Sequence, residues 1–235
     1  MLGSKIDKVE LAAVLEDHRK WLESGGEEGA RADLSNCDLS GYNLQQANFE
    51  KANLEGINLH RTNLRTANFK GANLKNAGME EADLQWSIFL RADLRDASLG
   101  GASLHFADFS NADLSGAEMQ NVFLHNAYFW EATLARADLK GASFRFTDMN
   151  SANLNGATLK GAVIAATKMI NADLSESDLS NSEITMSNFE KATLRNSKLN
   201  HAYLLKTTFH MADLRGADFN DSKAEAVDFS DARFS

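Results

Sequence analysis

The sequence predicts an all-β solenoid: a quadrilateral parallel β-helix of about ten stacked 20-residue coils, capped at its N-terminal end by one α-helix. Three observations predict it. From Leu34 to Phe234 every fifth residue is a large apolar side chain, Ala224 alone excepted. Phe49, Phe69, Phe89, Phe109 and Phe129 recur at intervals of 20, and Met149, Met169, Phe189, Phe209 and Phe229 continue the column. Before residue 32 the five-residue pattern is missing, and Leu11, Val14, Leu15, His18, Trp21 and Leu22 recur at helical spacing instead.

The helix comes first. Residues 1–31 are read as an N-terminal cap carrying one helix of about 18 residues, about 27 Å long. Ser4 followed by Asp7 supplies a start signal, and Gly25-Gly26 marks the end. A solenoid needs such a cover, because an open first coil exposes both core and unpaired backbone.

The repeat occupies residues 32–235. It has 41 apolar centres, 23 of them Leu and 11 Phe. Two residues before the centre the side chain is small: Ala fills 26 of these positions, and Ser or Thr ten more. One residue before it, Asp or Asn fills 22. The unit is A-[D/N]-[L/F]-x-x, as in Ala32-Asp33-Leu34-Ser35-Asn36. A period of five forms no stripe on an α-helix and flips sides on a straight strand. The conflict disappears if the chain turns a corner in every unit, so that the small residue and the centre both point inward. Glycines at the last position of a unit, such as Gly41, Gly56 and Gly71, suit those corners. The 20-residue Phe column then gives four units per coil. At about 4.8 Å per stacked strand the rod is roughly 50 Å long.

This sequence resembles the pentapeptide-repeat family, whose consensus is the same A-[D/N]-L-x-x unit, over Ala32 to Ser235. The resemblance implies a right-handed coil and a bacterial source. It implies little about activity; one subgroup of the family mimics B-DNA and binds DNA gyrase, protecting it from quinolones. The stretch from Leu15 through His18, Trp21, Leu22, Ser24, Gly26, Gly29 and Arg31 to Ala32-Asp33-Leu34 looks like a leader found before other bacterial pentapeptide arrays.

Composition narrows the function. Hydrophobic residues make up 43% of the 235, enough for a packed core. Proline is absent and Cys37 is the single cysteine, so no intrachain disulfide forms. No apolar run approaches the roughly 18 residues of a membrane span, and the N-terminus lacks a signal peptide's apolar stretch, so a cytoplasmic protein is expected. The net charge of −9 argues against direct nucleic-acid binding and against an anionic membrane.

The outward positions differ from side to side of the coil. The sides are named here by their first centres: Leu34, Leu39, Leu44 and Phe49. The first two carry no large apolar residue at an outward position. The Leu44 side presents Trp86, Phe106, Phe123, Phe146, Val163, Met186, Tyr203 and Leu205; the Phe49 side presents Ile88, Leu90, Tyr128, Trp130, Ile170 and Met211. These sides are adjacent, so their residues can form one surface. Trp86, Ile88, Leu90, Phe106, Phe123, Tyr128, Trp130, Phe146, Ile170, Tyr203 and Leu205 are therefore the candidate partner-binding residues. Ladders that merely shield backbone, or the N-terminal helix folded back along this surface, would explain the same pattern. Phe219, Phe229 and Phe234 at the last centres suggest an apolar end plate, either filled internally around Ala224 or used for an end-to-end homodimer.

Catalytic and metal signatures are missing. The sequence has no Gly-rich phosphate loop, no paired-Cys spacing and no H-E-x-x-H. Cys37 takes an inward small position and reads as an inert substitute for Ala. His105 and His125 should stack on neighbouring coils, with Arg145 next in the column opposing a cation. No catalytic residue, metal site or cofactor is expected. The expected function is a non-catalytic scaffold for another protein. The alternative is a gyrase-binding DNA mimic using the Leu39 side. That side has Asp38, Glu80, Glu81, Glu118, Asp138, Asp178, Asp218 and Asp221, interrupted by Arg61, Lys140, Lys160 and Lys198.

Overall fold

The computed structural model describes residues 5–235 as a parallel β-solenoid with one N-terminal helix. Helix α1 spans Lys8–Glu23 and is 16 residues long, slightly shorter than the pattern suggested. Ser4 lies outside the described residues. The cap is Asp7, whose carboxylate accepts hydrogen bonds from the Val9 and Glu10 amides at 2.8 and 2.9 Å. At the other end the Gly26 N–H donates to the Trp21 carbonyl at 2.8 Å, with Gly25 and Gly26 both at positive φ.

Helix α1 closes the first coil. Leu11 and His18 are buried, and Val14, Leu15, Trp21 and Leu22 are half-buried. Ahead of the helix, Lys5 pairs in parallel with Asp38, and the Tyr42 hydroxyl donates to the Ile6 carbonyl at 2.7 Å. The return segment approaches the helix so closely at Gly29 that a Cβ there would sit 2.2 Å from the Asp17 carbonyl oxygen. Only glycine fits that crossing.

The coil repeats with a register of 20. Parallel bridges begin four separate ladders, Asp33 to Asn53, Asp38 to Asn58, Asn43 to Asn63 and Asn48 to Asn68, and the first runs on to Asp213 and Arg233. Each unit bonds to the coils on both sides: the Leu54 N–H donates to the Asn73 carbonyl at 2.7 Å, and the Asn53 N–H to the Ala32 carbonyl at 2.9 Å. At most corners the N–H three residues after the centre donates back to the centre's carbonyl, as Ala67 does to Leu64 at 3.0 Å. The residue before that donor takes a left-handed conformation, as Asn36 does at φ 58°.

The Asp or Asn before each centre now has a physical role. Its side-chain oxygen accepts the N–H two residues ahead, as Asp33 does from Ser35 at 3.0 Å. In the first coils the amides also stack: Asn53 donates to Asp33 at 3.0 Å and Asn73 to Asn53 at 3.1 Å.

On the Leu44 side the ladder becomes a five-stranded parallel sheet: β1 (Ser143–Arg145), β2 (Val163–Ala165), β3 (Glu183–Thr185), β4 (Tyr203–Leu205) and β5 (Lys223–Glu225), in that order. Hydroxyls hold its corners. Thr147 donates to the Leu124 carbonyl at 2.8 Å, Thr167 to Phe144, and Ser187 and Thr207 to Ile164 and Ile184 at 3.2 Å. These bonds satisfy carbonyls one coil back, inside a core where an unpaired acceptor would be costly.

The core is one continuous column of centres and small residues from Ala32 to Leu214. Phe49, Phe69, Phe89, Phe109 and Phe129 stack at 4.5–5.3 Å between ring centroids. Among the described residues no helix is long and apolar enough to cross a membrane.

Candidate functional site

The 20-residue register places the predicted surface residues on two adjoining faces. Trp86 and Phe106 occupy successive left-handed corner positions, at φ 62° and 60°, and their rings stack at 4.0 Å and 5°. Phe146 lies two coils further down that column at φ 58° and is 65% exposed. Around the corner, direct bridges link Ile88 to Asp108 and Asp108 to Tyr128. Trp130 shares the coil of Tyr128. Trp86, Ile88, Phe123, Tyr128 and Trp130 are all exposed.

The structure departs from the sequence reading at the other positions. Leu90, Phe106, Ile170, Tyr203 and Leu205 are half-buried rather than freely displayed. Phe106 loses exposure to the Trp86 ring lying against it. Tyr203 and Leu205 flank Leu204 in β4, between β3 and β5. Met186 and Met211, outside the candidate set, are exposed. Helix α1 does not lie over this surface: its buried residues face the first coil, and the Trp86 and Trp130 side chains stay open.

Histidines border the apolar residues. The His105 ring lies 6.3 Å from Phe123 and 4.7 Å from His125, edge to face in the second pair. His125 Nε2 meets the Ser143 hydroxyl at 3.0 Å. Burial, then His105 and Arg145, lowers the His125 pKa below the usual histidine value. Cys37 is half-buried, and burial raises its pKa, which disfavours the thiolate.

At the C-terminal end, Phe219 and Phe229 are half-buried with rings 6.0 Å apart in edge contact, and Phe234 is exposed. Ala224 is exposed as well. The acidic Leu39 side is interleaved with cations: Arg61 meets Glu81 through two contacts at 2.8 and 3.2 Å. On the Leu34 side an open cleft of about 490 Å³ is lined by residues that include Arg95, Asp96, Ser115, Arg136, Asn155 and Asp173. The guanidinium of Arg95 is already tied to both carboxylate oxygens of Asp93, at 2.6 and 2.8 Å.

Comparison with known proteins bears on this geometry. None of the curated proteins matches the chain. Among solved structures it is similar to HetL, a pentapeptide repeat protein involved in heterocyst differentiation regulation from the cyanobacterium Nostoc sp. strain PCC 7120. The two are 24% identical over 97% of this chain and 96% of that one, with a TM-score of 0.53. Rfr23 from the cyanobacterium Cyanothece 51142 is 23% identical over 44% of this chain and 64% of that one, with a TM-score of 0.35. QnrB1, a plasmid-mediated fluoroquinolone resistance protein, is 18% identical over 84% of this chain and 92% of that one, with a TM-score of 0.36. The family model described as pentapeptide repeats (8 copies) matches in overlapping segments, the first covering residues 30–65 and the last residues 197–235. With those segments following one another along the solenoid, the chain belongs to the pentapeptide-repeat family.

Proposed function

We propose that this protein is a non-catalytic scaffold that offers a rigid solenoid face to another protein. The observation that carries the reading is the run of exposed Trp86, Ile88, Phe123, Tyr128, Trp130 and Phe146 across two adjoining faces. Exposed large apolar side chains clustered on adjoining faces mark interfaces, and Trp and Tyr are over-represented among residues that dominate binding energy. The array is read as about 41 repeats in about ten coils, each packed only on its neighbours, so the face is ordered before the partner arrives and little entropy is lost on binding. A DNA mimic is less well supported, because its acidic side is crossed by cations such as Arg61, already paired with Glu81.

Affinity capture from source lysate, repeated with purified components, tests this. The Trp86→Asp, Trp130→Asp double variant is expected to bind the captured partner at least roughly tenfold more weakly, with little dependence on salt. A partner released by salt and indifferent to the double variant would favour the acidic side instead.

Self-association is a second proposed use, at a different place. Helix α1 and the Lys5–Asp38 pairing close the N-terminal end, while Phe234 is 55% exposed at the other. Head-to-tail stacking would meet the covered N-terminal end, so the pairing proposed is tail to tail, as a closed pair. Sedimentation equilibrium is expected to show a dimer that Phe234→Asp converts to monomer; a wild-type monomer at high micromolar concentration would exclude the pairing.

A further inference from the structure

The Phe49 side is not uniformly apolar. One coil displays Ile88 and Leu90, the next Asp108 and Ser110, and the next Tyr128 and Trp130. The large side chains thus stand two strand spacings apart, about 9.6 Å at about 4.8 Å per strand. The shorter Asp108 and Ser110 side chains, both half-buried, make the coil between them the low one, a trough flanked by larger apolar side chains and holding a carboxylate.

That carboxylate has little to neutralise it. Asp108 Oδ1 accepts the Ser110 N–H at 2.9 Å, as the repeat requires. Among the described residues no lysine, arginine or histidine nitrogen forms an ion pair with Asp108. Asp148, two coils further along the same column, has the Lys168 ammonium at 3.9 Å. The coil neighbours of Asp108 are Ile88 and Tyr128, and neither carries a cation. A partner that covers the exposed Ile88, Tyr128 and Trp130 side chains must also cover Asp108. Burying an unpaired carboxylate is strongly unfavourable, whereas a cation placed against it restores the lost solvation.

We infer that the trough receives a basic side chain from the partner protein, arginine in preference to lysine. This rests on the reading of the Trp86–Trp130 surface as an interface. The aliphatic stem lies between the two walls, and the charged head meets Asp108. Arginine is preferred because its planar guanidinium both bonds a carboxylate bidentately and stacks on aromatic rings such as Tyr128 and Trp130. The partner's contact segment is therefore apolar with a buried arginine in it.

The test uses an acetylated leucine–arginine–leucine tripeptide amide titrated into the isotope-labelled full chain, followed by NMR. Saturable shifts are expected at the amides of Ser110, Tyr128 and Trp130. The same peptide with neutral citrulline in place of arginine should bind roughly tenfold more weakly, and Asp108→Asn should weaken the arginine peptide by a similar factor. Asn68 occupies the equivalent position on the same column, and Asn48 there accepts the Glu50 N–H at 3.0 Å, so the repeat accommodates the substitution. Equal binding of the citrulline peptide, an unaffected Asp108→Asn variant, or no response at the trough would each overturn the inference. The scaffold reading is judged separately: a captured partner lost with the tryptophan variant but insensitive to Asp108→Asn would refute only the basic-side-chain receptor.

Discussion

Phe109→Ala is expected to destabilise the solenoid by about 3–5 kcal/mol, the usual cost of emptying a fully buried aromatic site. Phe109 has no solvent exposure, and its ring stacks between Phe89 at 4.5 Å and Phe129 at 4.8 Å. The backbone around it is tied to the coils on either side, through bonds such as Phe109 N–H to the Tyr128 carbonyl at 2.7 Å. Those bonds prevent collapse around the cavity, which places the cost at the upper part of the range. Phe146→Ala is the matched comparison, with the same change in side chain at a site that is 65% exposed. It should cost no more than about 0.5 kcal/mol. Guanidinium unfolding followed by far-ultraviolet circular dichroism reads both. Because each coil contacts only its neighbours, the Phe109→Ala transition should also lose cooperativity, with the two halves beginning to unfold separately. Equal midpoints for the two variants would show that the stacked column contributes nothing beyond hydrophobic content.

The same contrast explains what the sequence could reveal. The inward positions were legible because a five-residue unit with one corner allows a single inward-facing arrangement, and the 20-residue spacing of Phe49 to Phe129 sets the register. The Leu44–Phe49 location of the exposed aromatics followed directly from that register. The degree of exposure did not. It depends on how far a side chain leans over its neighbour one coil away, as Trp86 does over Phe106. Corner conformation was legible only in part: glycines such as Gly41 and Gly56 announce positive φ, whereas Trp86, Phe106 and Thr66 adopt it with no local preference for doing so. Asp108 was hidden for a different reason. Asp before a centre is the repeat's ordinary residue, and its significance comes from Ile88 and Tyr128, 20 residues away on either side. The helix boundary shifted to Asp7 because its carboxylate accepts both the Val9 and Glu10 amides.

His18 shows the limit of periodicity most clearly, and it carries the second large effect. Helical spacing placed it among apolar residues, and it is indeed fully buried beside Trp21, with ring centroids 5.9 Å apart. What spacing does not reveal is its polar task. His18 Nδ1 accepts the Ala32 N–H at 3.1 Å, at the point where the chain enters the solenoid. The ring must therefore be neutral, with its proton on Nε2, which is buried and makes no hydrogen bond among the described residues. Protonation removes the acceptor and leaves a charge under the helix. Burial accordingly lowers the His18 pKa below the usual histidine value; nearby Arg31 acts in the same direction, and the Glu50 backbone and carboxylate oppose it. For a lowered histidine pKa the sign is fixed. The contribution to stability is complete above the unfolded-state value of about 6.5, and it is lost as pH falls from there towards the folded-state value, because the unfolded chain takes up the proton first. His18→Ala should cost about 1–3 kcal/mol at pH 7.5, since it strands the buried Ala32 N–H. The gap between wild type and variant should narrow at pH 5, where wild type has lost part of the same contribution. Measuring both proteins at both values cancels the titration of the shared carboxylates. Hydrogen exchange at Ala32 gives a local reading: its protection should fall in the variant at pH 7.5 and in wild type on acidification, while the Phe109 amide stays protected. A stability gap that is constant with pH would mean that His18 serves the cap by packing alone.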